Sequence, residues 1–120
     1  MEINEFFQDL TQNLKNIQSA KIENLIELIY KTCINNKSIF IIGNGGSASN
    51  ASHFSQDLSR INISYNNSEK RIKAFSLTDN VSFISAVAND FGFDNIFTSQ
   101  LKTYANTDDV LIAISCSGNS

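Results

Sequence analysis

Residues Ile39 to Arg60 read IFIIGNGGSASNASHFSQDLSR, and the fold class turns on how this stretch changes character. Ile39-Phe40-Ile41-Ile42 is a continuous apolar run, the pattern of a parallel strand buried on both faces. Gly43-Asn44-Gly45-Gly46-Ser47 breaks it, and a helical pattern begins at once. Three glycines in four positions let backbone N–H groups come close to a ligand where a Cβ would collide. A turn from strand into helix also presents unpaired N–H donors at the positive end of the helix dipole. Such a place binds anions, most often phosphate. A merely tight turn accounts for one glycine, not three. The expectation is therefore phosphate or phosphosugar binding at this turn.

Outward from that turn, the helix is expected to start with Ser47 as its N-cap and to run to about Ile61. Phe54, Leu58 and Ile61 fall on one face, suited to covering a sheet, while Asn50, His53, Asp57 and Arg60 fall on another. Asn62 to Lys70 is polar and turn-rich and reads as a surface loop. A second strand is expected at Ile72 to Leu77, ending in Thr78-Asp79-Asn80, where Asp79 or Asn80 can cap a helix containing Val81, Ile84 and Val87. Asn89-Asp90-Phe91-Gly92-Phe93 interrupts that helix, and another runs to about Tyr104. Val110 to Ile114 is a third apolar strand, again expected to be buried on both faces. Ahead of all this, Ile3, Phe6, Phe7, Leu10, Leu14 and Ile17 form one helical stripe. Ile22, Leu25, Ile26, Ile29 and Cys33 form a second, with Ser19 as a candidate cap.

Strands alternating with helices predict an α/β fold with a doubly wound parallel sheet, preceded by two amphipathic helices. In such sheets ligands sit beyond the carboxyl ends of the strands. All three flagged segments, Gly43 to Ser47, Thr78 to Asn80 and Ser115 to Ser120, lie at such ends. The last begins like a helix, and a sheet stopping there would leave its third strand uncovered. The expectation is the N-terminal part of a longer protein, truncated after the third strand. Residues 1–36 would be a helical hairpin serving oligomerisation, and residues 37–120 the start of a phosphosugar-binding domain.

The 120 residues suffice for one core, and 42% hydrophobic with 18% charged residues is a globular composition. A net charge of −3 argues against a nucleic-acid or anionic-membrane surface. No apolar run approaches a bilayer span, and MEINEFFQDL is acidic and amphipathic, unlike a signal peptide. Cys33 and Cys116 match no metal or disulfide spacing, so two reduced thiols in a cytoplasm are expected.

Each segment suggests a chemistry. Ser115, Ser117 and Ser120 cluster hydroxyls around one glycine past a strand, and with backbone N–H groups they can hold a phosphate without a lysine. His53 and Asp57, four apart on the glycine-loop helix, could be metal ligands, an acid–base pair or a solvated helix pair. Asn89-Asp90 could hydrogen-bond sugar hydroxyls or simply make a turn. A P-loop is excluded because no Gly-Lys-Ser/Thr is present. Gly43, Gly45 and Ala48 do satisfy a loose G-x-G-x-x-A dinucleotide fingerprint. That reading has only Asp79 as a ribose ligand and leaves the Ser115 to Ser120 hydroxyls unexplained.

GNGGSASNASHF, TDNVSFISAVANDFGF and DDVLIAISCSGNS together resemble the sugar isomerase (SIS) domain proteins, and among them the bacterial phosphoheptose isomerases. The resemblance runs from about Lys37 to Ser120, and the two leading helices fit as well. It implies a flavodoxin-like three-layer αβα fold and a cytoplasmic homotetramer that contacts neither nucleic acid nor membrane. It also implies a phosphorylated seven-carbon sugar as substrate, with sedoheptulose 7-phosphate converted to D-glycero-D-manno-heptose 7-phosphate for lipopolysaccharide, capsule or glycoprotein heptose. By the same resemblance, Asn44, Gly45 and Gly46 would contact substrate and Ser47 its phosphate. Asn89 and Asp90 would contact substrate, and Ser115, Cys116, Ser117 and Ser120 would form the phosphate loop. His53 would be a zinc ligand, and Asp57 a zinc ligand, substrate contact and general base. The implied mechanism is an aldose–ketose isomerisation through an enediol.

Two positions depart from the family pattern. Asp57 stands where a glutamate is expected, one methylene shorter, and Cys116 where the phosphate loop has threonine. The family's remaining zinc and acid residues, a glutamine and a histidine, belong to its C-terminal half, outside these 120 residues. The competing expectation is a non-catalytic SIS module that binds phosphosugar or a replication initiator; the carboxylate kept at Asp57 favours the enzyme.

Overall fold

The structure, a computed structural model, describes residues 1–120. In chain order the elements are α1 (Ile3–Lys15), α2 (Ser19–Ile34), β1 (Ser38–Gly43), α3 (Gly46–Ser59), β2 (Asn62–Tyr65), β3 (Ser68–Arg71) and β4 (Lys73–Ser76). There follow α4 (Val81–Phe91), a 3₁₀ turn over Phe93–Asn95, α5 (Thr98–Tyr104) and β5 (Val110–Ile114). The apolar run that opened the sequence reading becomes the central strand. β1 pairs in parallel with β4 on one side and β5 on the other, with Ile39 opposite both Ala74 and Val110. Among the parallel strands the order is thus second, first, third, and helices pack on both faces: the expected α/β, doubly wound sheet.

Register decides which side chains meet. Ile39 and Ile41 point to one face and are fully buried among Ala51 and Leu58 of α3, Cys33 of α2, and Ile72 and Ala74. Phe40 points to the other face, where its ring stacks on that of Phe75 at 5.7 Å. The face of α3 that meets the sheet is Ser47, Ala51, Ser55 and Leu58. Phe54 packs only partly against this core, and Ile61, expected to cover the sheet, lies beyond the helix end and is exposed. Small residues at three of those four contact positions let the helix approach closely. A Cβ built on Gly43 would lie 2.4 Å from the carbonyl oxygen of Ser47, a distance no packed Cβ tolerates. Two further ties hold α3 to its neighbours. The Ser59 hydroxyl donates to the Ala74 carbonyl at 2.9 Å near the helix C-terminus, and Thr78 bonds the first turn.

The segment expected to be a loop is a two-stranded hairpin. β2 and β3 pair antiparallel from Asn62↔Arg71 to Tyr65↔Ser68. Asn66 and Asn67 turn it with φ of 50° and 60°, the left-handed pair that a two-residue hairpin turn needs and that asparagine tolerates better than most residues. Ile63 anchors the hairpin on the core, and Lys70 Nζ donates to the Ile34 carbonyl at the end of α2.

Helix ends also differ in detail from expectation. Gly45, not Ser47, occupies the N-cap of α3, which places Ser47 inside the first turn with its side chain buried. Gln18 rather than Ser19 precedes α2. Asn80, one of two candidates, caps α4 by accepting from the Phe83 amide at 3.0 Å. Asn89 and Asp90 lie within the last turn of α4, not after it, and Gly92 with φ 94° ends the helix. The Asn35-Asn36-Lys37 turn closes α2 with Asn36 left-handed and amides of residues 36 and 37 bonded back to Cys33 and Thr32, a Schellman arrangement.

Burial on both faces holds for β1 but not for β5. β5 forms an edge of the sheet, with Leu111 47% exposed on the Phe40 side. No residue of α1 is buried, and the stripe from Ile3 to Ile17 faces solvent.

The Gly43 contact gives a direct test of this packing. Gly43→Ala should destabilise the protein by about 1–3 kcal/mol through overpacking against backbone. Gly46→Ala, whose Cβ meets nothing within 4 Å, should cost far less. Denaturant midpoints of the two variants measure the difference.

Candidate functional site

The carboxyl ends of β1 and β5 diverge where the chain leaves one side of the sheet and later returns on the other, and the two candidate anion loops meet at this switch point. Gly43 closes β1, Gly45 with φ 58° caps α3, the Ser47 amide donates to the Asn44 carbonyl at 3.0 Å, and the first turn of α3 lies beside the loop at the end of β5. There Ser115 to Ser120 form a compact loop held by its own hydroxyls. Ser115 Oγ accepts from the Gly118 amide at 2.9 Å, and Ser117 Oγ from the Asn119 amide at 3.1 Å. The two loops touch where Ser47 Oγ lies 3.8 Å from Cys116 Sγ.

Between them opens a cavity of about 280 Å³, large enough for a small ligand or part of one. Gly43, Asn44, Ser115 and Ser120 contribute its polar rim, and Ile42, Phe93, Ile96, Phe97, Ala113 and Ile114 its apolar wall. Asp94 supplies the one acidic side chain, and no lysine or arginine lines it. Gly45, Gly46, Ser47, Cys116 and Ser117 do not line it, so an anion inside it would meet the hydroxyls of Ser115 and Ser120 and loop backbone rather than a counter-ion.

His53 and Asp57 occupy a different place. They lie about two and three turns into α3, with His53 Nε2 3.3 Å from Asp57 Oδ2. Both side chains are more than half exposed, so their mutual attraction is strongly screened by water. Asp57 also accepts from the Gln56 amide through Oδ1. His53 borders a second hollow of about 480 Å³ with Ser49, Ser52, Gln56, Thr78 and Asp79. A zinc ion takes three or four protein donors. His53 and Asp57 supply two, and no third His, Cys, Asp or Glu joins them. These residues alone do not fit a zinc centre.

Asn89 and Asp90 are exposed at the end of α4, where the Asn89 amide donates to Asp90 Oδ1 at 3.0 Å, and they line neither cavity. Phe93, Asp94 and Phe97, which follow Gly92, line the first cavity instead. Sequence reasoning missed them because the segment after Gly92 reads locally as an interruption followed by a helix. Only the crossover of the chain brings it over the ends of β1 and β5.

Comparison with known proteins bears on this geometry. The sequence profile described as the SIS domain matches residues 4–120. The chain belongs to the SIS domain family. Two similar SIS relatives are named phosphoheptose isomerase. One, from Helicobacter pylori strain P12, is 39% identical over 111 residues, which are 92% of this chain and 56% of that protein. The other, from Buchnera aphidicola of Acyrthosiphon pisum, is 41% identical over 115 residues, 96% of this chain and 54% of that protein. Among solved structures, phosphoheptose isomerase from Neisseria gonorrhoeae superposes with a TM-score of 0.83 at 31% identity, over 98% of this chain and 60% of that one. The enzyme from Francisella tularensis gives 0.83 at 30% identity over 98% and 62%. The chain thus spans somewhat over half the length of the SIS relatives it matches.

The two thiols should report the site's accessibility. Cys116 is exposed at the cavity loop, whereas Cys33 is buried and desolvation pushes its thiol pKa up, with Lys70 opposing more weakly. In the native protein a maleimide should modify Cys116 at least about tenfold faster than Cys33. Mass spectrometry of the labelled peptides gives the ratio, and denaturant should abolish the difference.

Proposed function

We propose that these residues form the phosphosugar-binding N-terminal part of a phosphoheptose isomerase, which interconverts sedoheptulose 7-phosphate and D-glycero-D-manno-heptose 7-phosphate. The observation that carries this reading is the meeting of the glycine loop and the Ser115–Ser120 loop at the switch point of an SIS sheet. The relatives' names point the same way.

In this reading the amides of Gly45, Gly46 and Ser47 and the hydroxyls of Ser47, Ser115, Ser117 and Ser120 bind the phosphate. Cys116 contributes its backbone. Asn44, Asn89 and Asp90 contact the sugar, the last two after the end of α4 moves toward the site. Asp57 removes a proton from C1 of the ketose, giving an enediol, and returns it to C2. The hydroxyl proton moves from O1 to O2, so no oxidant or reductant is needed. The partner acid belongs to a part of the protein outside residues 1–120. So do the donors that would have to join His53 and Asp57 before zinc could bind, and no step is drawn through zinc. The solvent-facing apolar stripes of α1 and α2 support a role for residues 1–36 in subunit contacts of a homotetramer. No helix is long and apolar enough to cross a membrane; in this reading the protein works in the cytoplasm and supplies heptose for lipopolysaccharide or capsule.

One observation favours a second reading, a phosphosugar-binding module without turnover. Both oxygens of Asp57 face neighbours on its own helix, Gln56 and His53, and its side chain is a methylene shorter than glutamate. The experiment is turnover of sedoheptulose 7-phosphate by the full-length protein. Asp57→Ala should lower kcat by about 10²–10⁴-fold, the usual contribution of a general base, while Asp57→Glu should retain or raise it. Phosphosugar binding with no turnover in the parent protein would select the binding module.

A further inference from the structure

We infer that Thr78 is a positioning residue: its hydroxyl holds the first turn of α3 in the orientation that aims the phosphate-binding amides. The inference rests on the phosphosugar reading above and adds a residue to it. Thr78 lies past the end of β4, half-buried beside the first turn of α3. Its Oγ1 is 3.2 Å from the carbonyl oxygen of Ala48, in the first turn of α3. It is the one side chain from outside α3 that hydrogen-bonds the backbone of that helix.

The local network gives its proton a direction. Ser76 Oγ accepts from the Thr78 amide at 3.3 Å and lies 2.6 Å from Thr78 Oγ1. Each hydroxyl has one proton and can accept as well as donate. Asp79 Oδ1, 3.3 Å away, and the Ala48 carbonyl can only accept from Thr78. With one proton on each hydroxyl, Ser76 donates to Thr78, and Thr78 donates to Ala48 or to Asp79 but not to both at once, the Ala48 contact being the shorter.

The mechanical consequence follows from where α3 is held. Its C-terminal end is fastened to β4 by Ser59, and its start rests on Gly43 and meets the loop after β5 only through the long Ser47–Cys116 contact. Thr78 supplies the one side-chain bond from outside α3 to the backbone of that first turn. His53 and Asp57 lie nearer the Ser59 end, so loss of the Thr78 hydroxyl should disturb phosphate binding more than proton transfer.

The test compares Thr78→Val, which keeps the shape, with Thr78→Ser, which keeps the hydroxyl, in the full-length protein. Two readouts are used: hydrogen exchange of the segment 43–53 with and without inorganic phosphate, and steady-state kinetics on sedoheptulose 7-phosphate. For Thr78→Val, exchange in that segment and KM should each rise about tenfold, while kcat falls less than about threefold and other segments keep their protection. Thr78→Ser should restore both. Unchanged exchange and KM in Thr78→Val would overturn the inference. So would a uniform rise in exchange across the protein with KM unchanged, since that marks a scaffold role alone. If the parent protein neither turns over the sugar nor gains protection at 43–53 from phosphate, the phosphosugar reading fails. In that case a local exchange rise in Thr78→Val without phosphate still upholds the Thr78 bond, and its absence overturns it.

Discussion

The missing Cβ of Gly43 is the constraint on which the site depends. β1 can hand the chain directly to α3 only because the Ser47 carbonyl sits where a Cβ would otherwise be. Any side chain at that position would push the start of α3 away from the strand. Ser47 would then lose its place beside Cys116 of the Ser115–Ser120 loop. The same requirement explains the small residues Ser47, Ala51 and Ser55 along the helix face. They keep the whole helix, not just its first turn, close against Ile39 and Ile41. The same close packing carries His53, about two turns into α3, to the hollow beside Thr78 and Asp79, and Asp57 a turn beyond it.

The electrostatics of the cavity follow from this geometry. With no lysine or arginine on its wall, an anion must be stabilised by oriented dipoles. The hydroxyl loop, with the start of α3 beside it, can supply these without the flexibility of a long cationic side chain. The serines spend part of their hydrogen-bonding capacity on their own loop, through Ser115 to Gly118 and Ser117 to Asn119. Loop shape and ligand contact are thus coupled. Cys116 fits this plan, because a thiol at that position leaves the loop's backbone donors in place while its sulfur contacts Ser47.

Much of this was legible in the sequence where a local pattern has one physical meaning. The apolar run at 39–42, the glycines after it and the run at 110–114 each identify a strand or its end, and the parallel sheet follows from their spacing. The hairpin at 62–71 was hidden because Asn66 and Asn67 look like loop residues. Their significance is that both adopt positive φ, which residue type permits but does not announce. The cap at Gly45 was missed for a related reason. Serine is the commoner cap, but close packing against Gly43 draws Ser47 into the helix. The apolar wall at Phe93 and Phe97 depends on a crossover longer than any local pattern. Exposure of Leu111 depends on which strands lie beside β5, and of that a strand's own composition says nothing.

The central claim is that one phosphate bridges the start of α3 and the loop after β5. A crystal structure of the full-length protein with sedoheptulose 7-phosphate tests it most directly. The phosphate should lie within hydrogen-bond distance of the Ser47 amide and of at least two hydroxyls among Ser115, Ser117 and Ser120, with the sugar extending along α3 toward Asp57. A phosphate bound elsewhere, or one held by lysine or arginine side chains with these loops empty, would contradict the account.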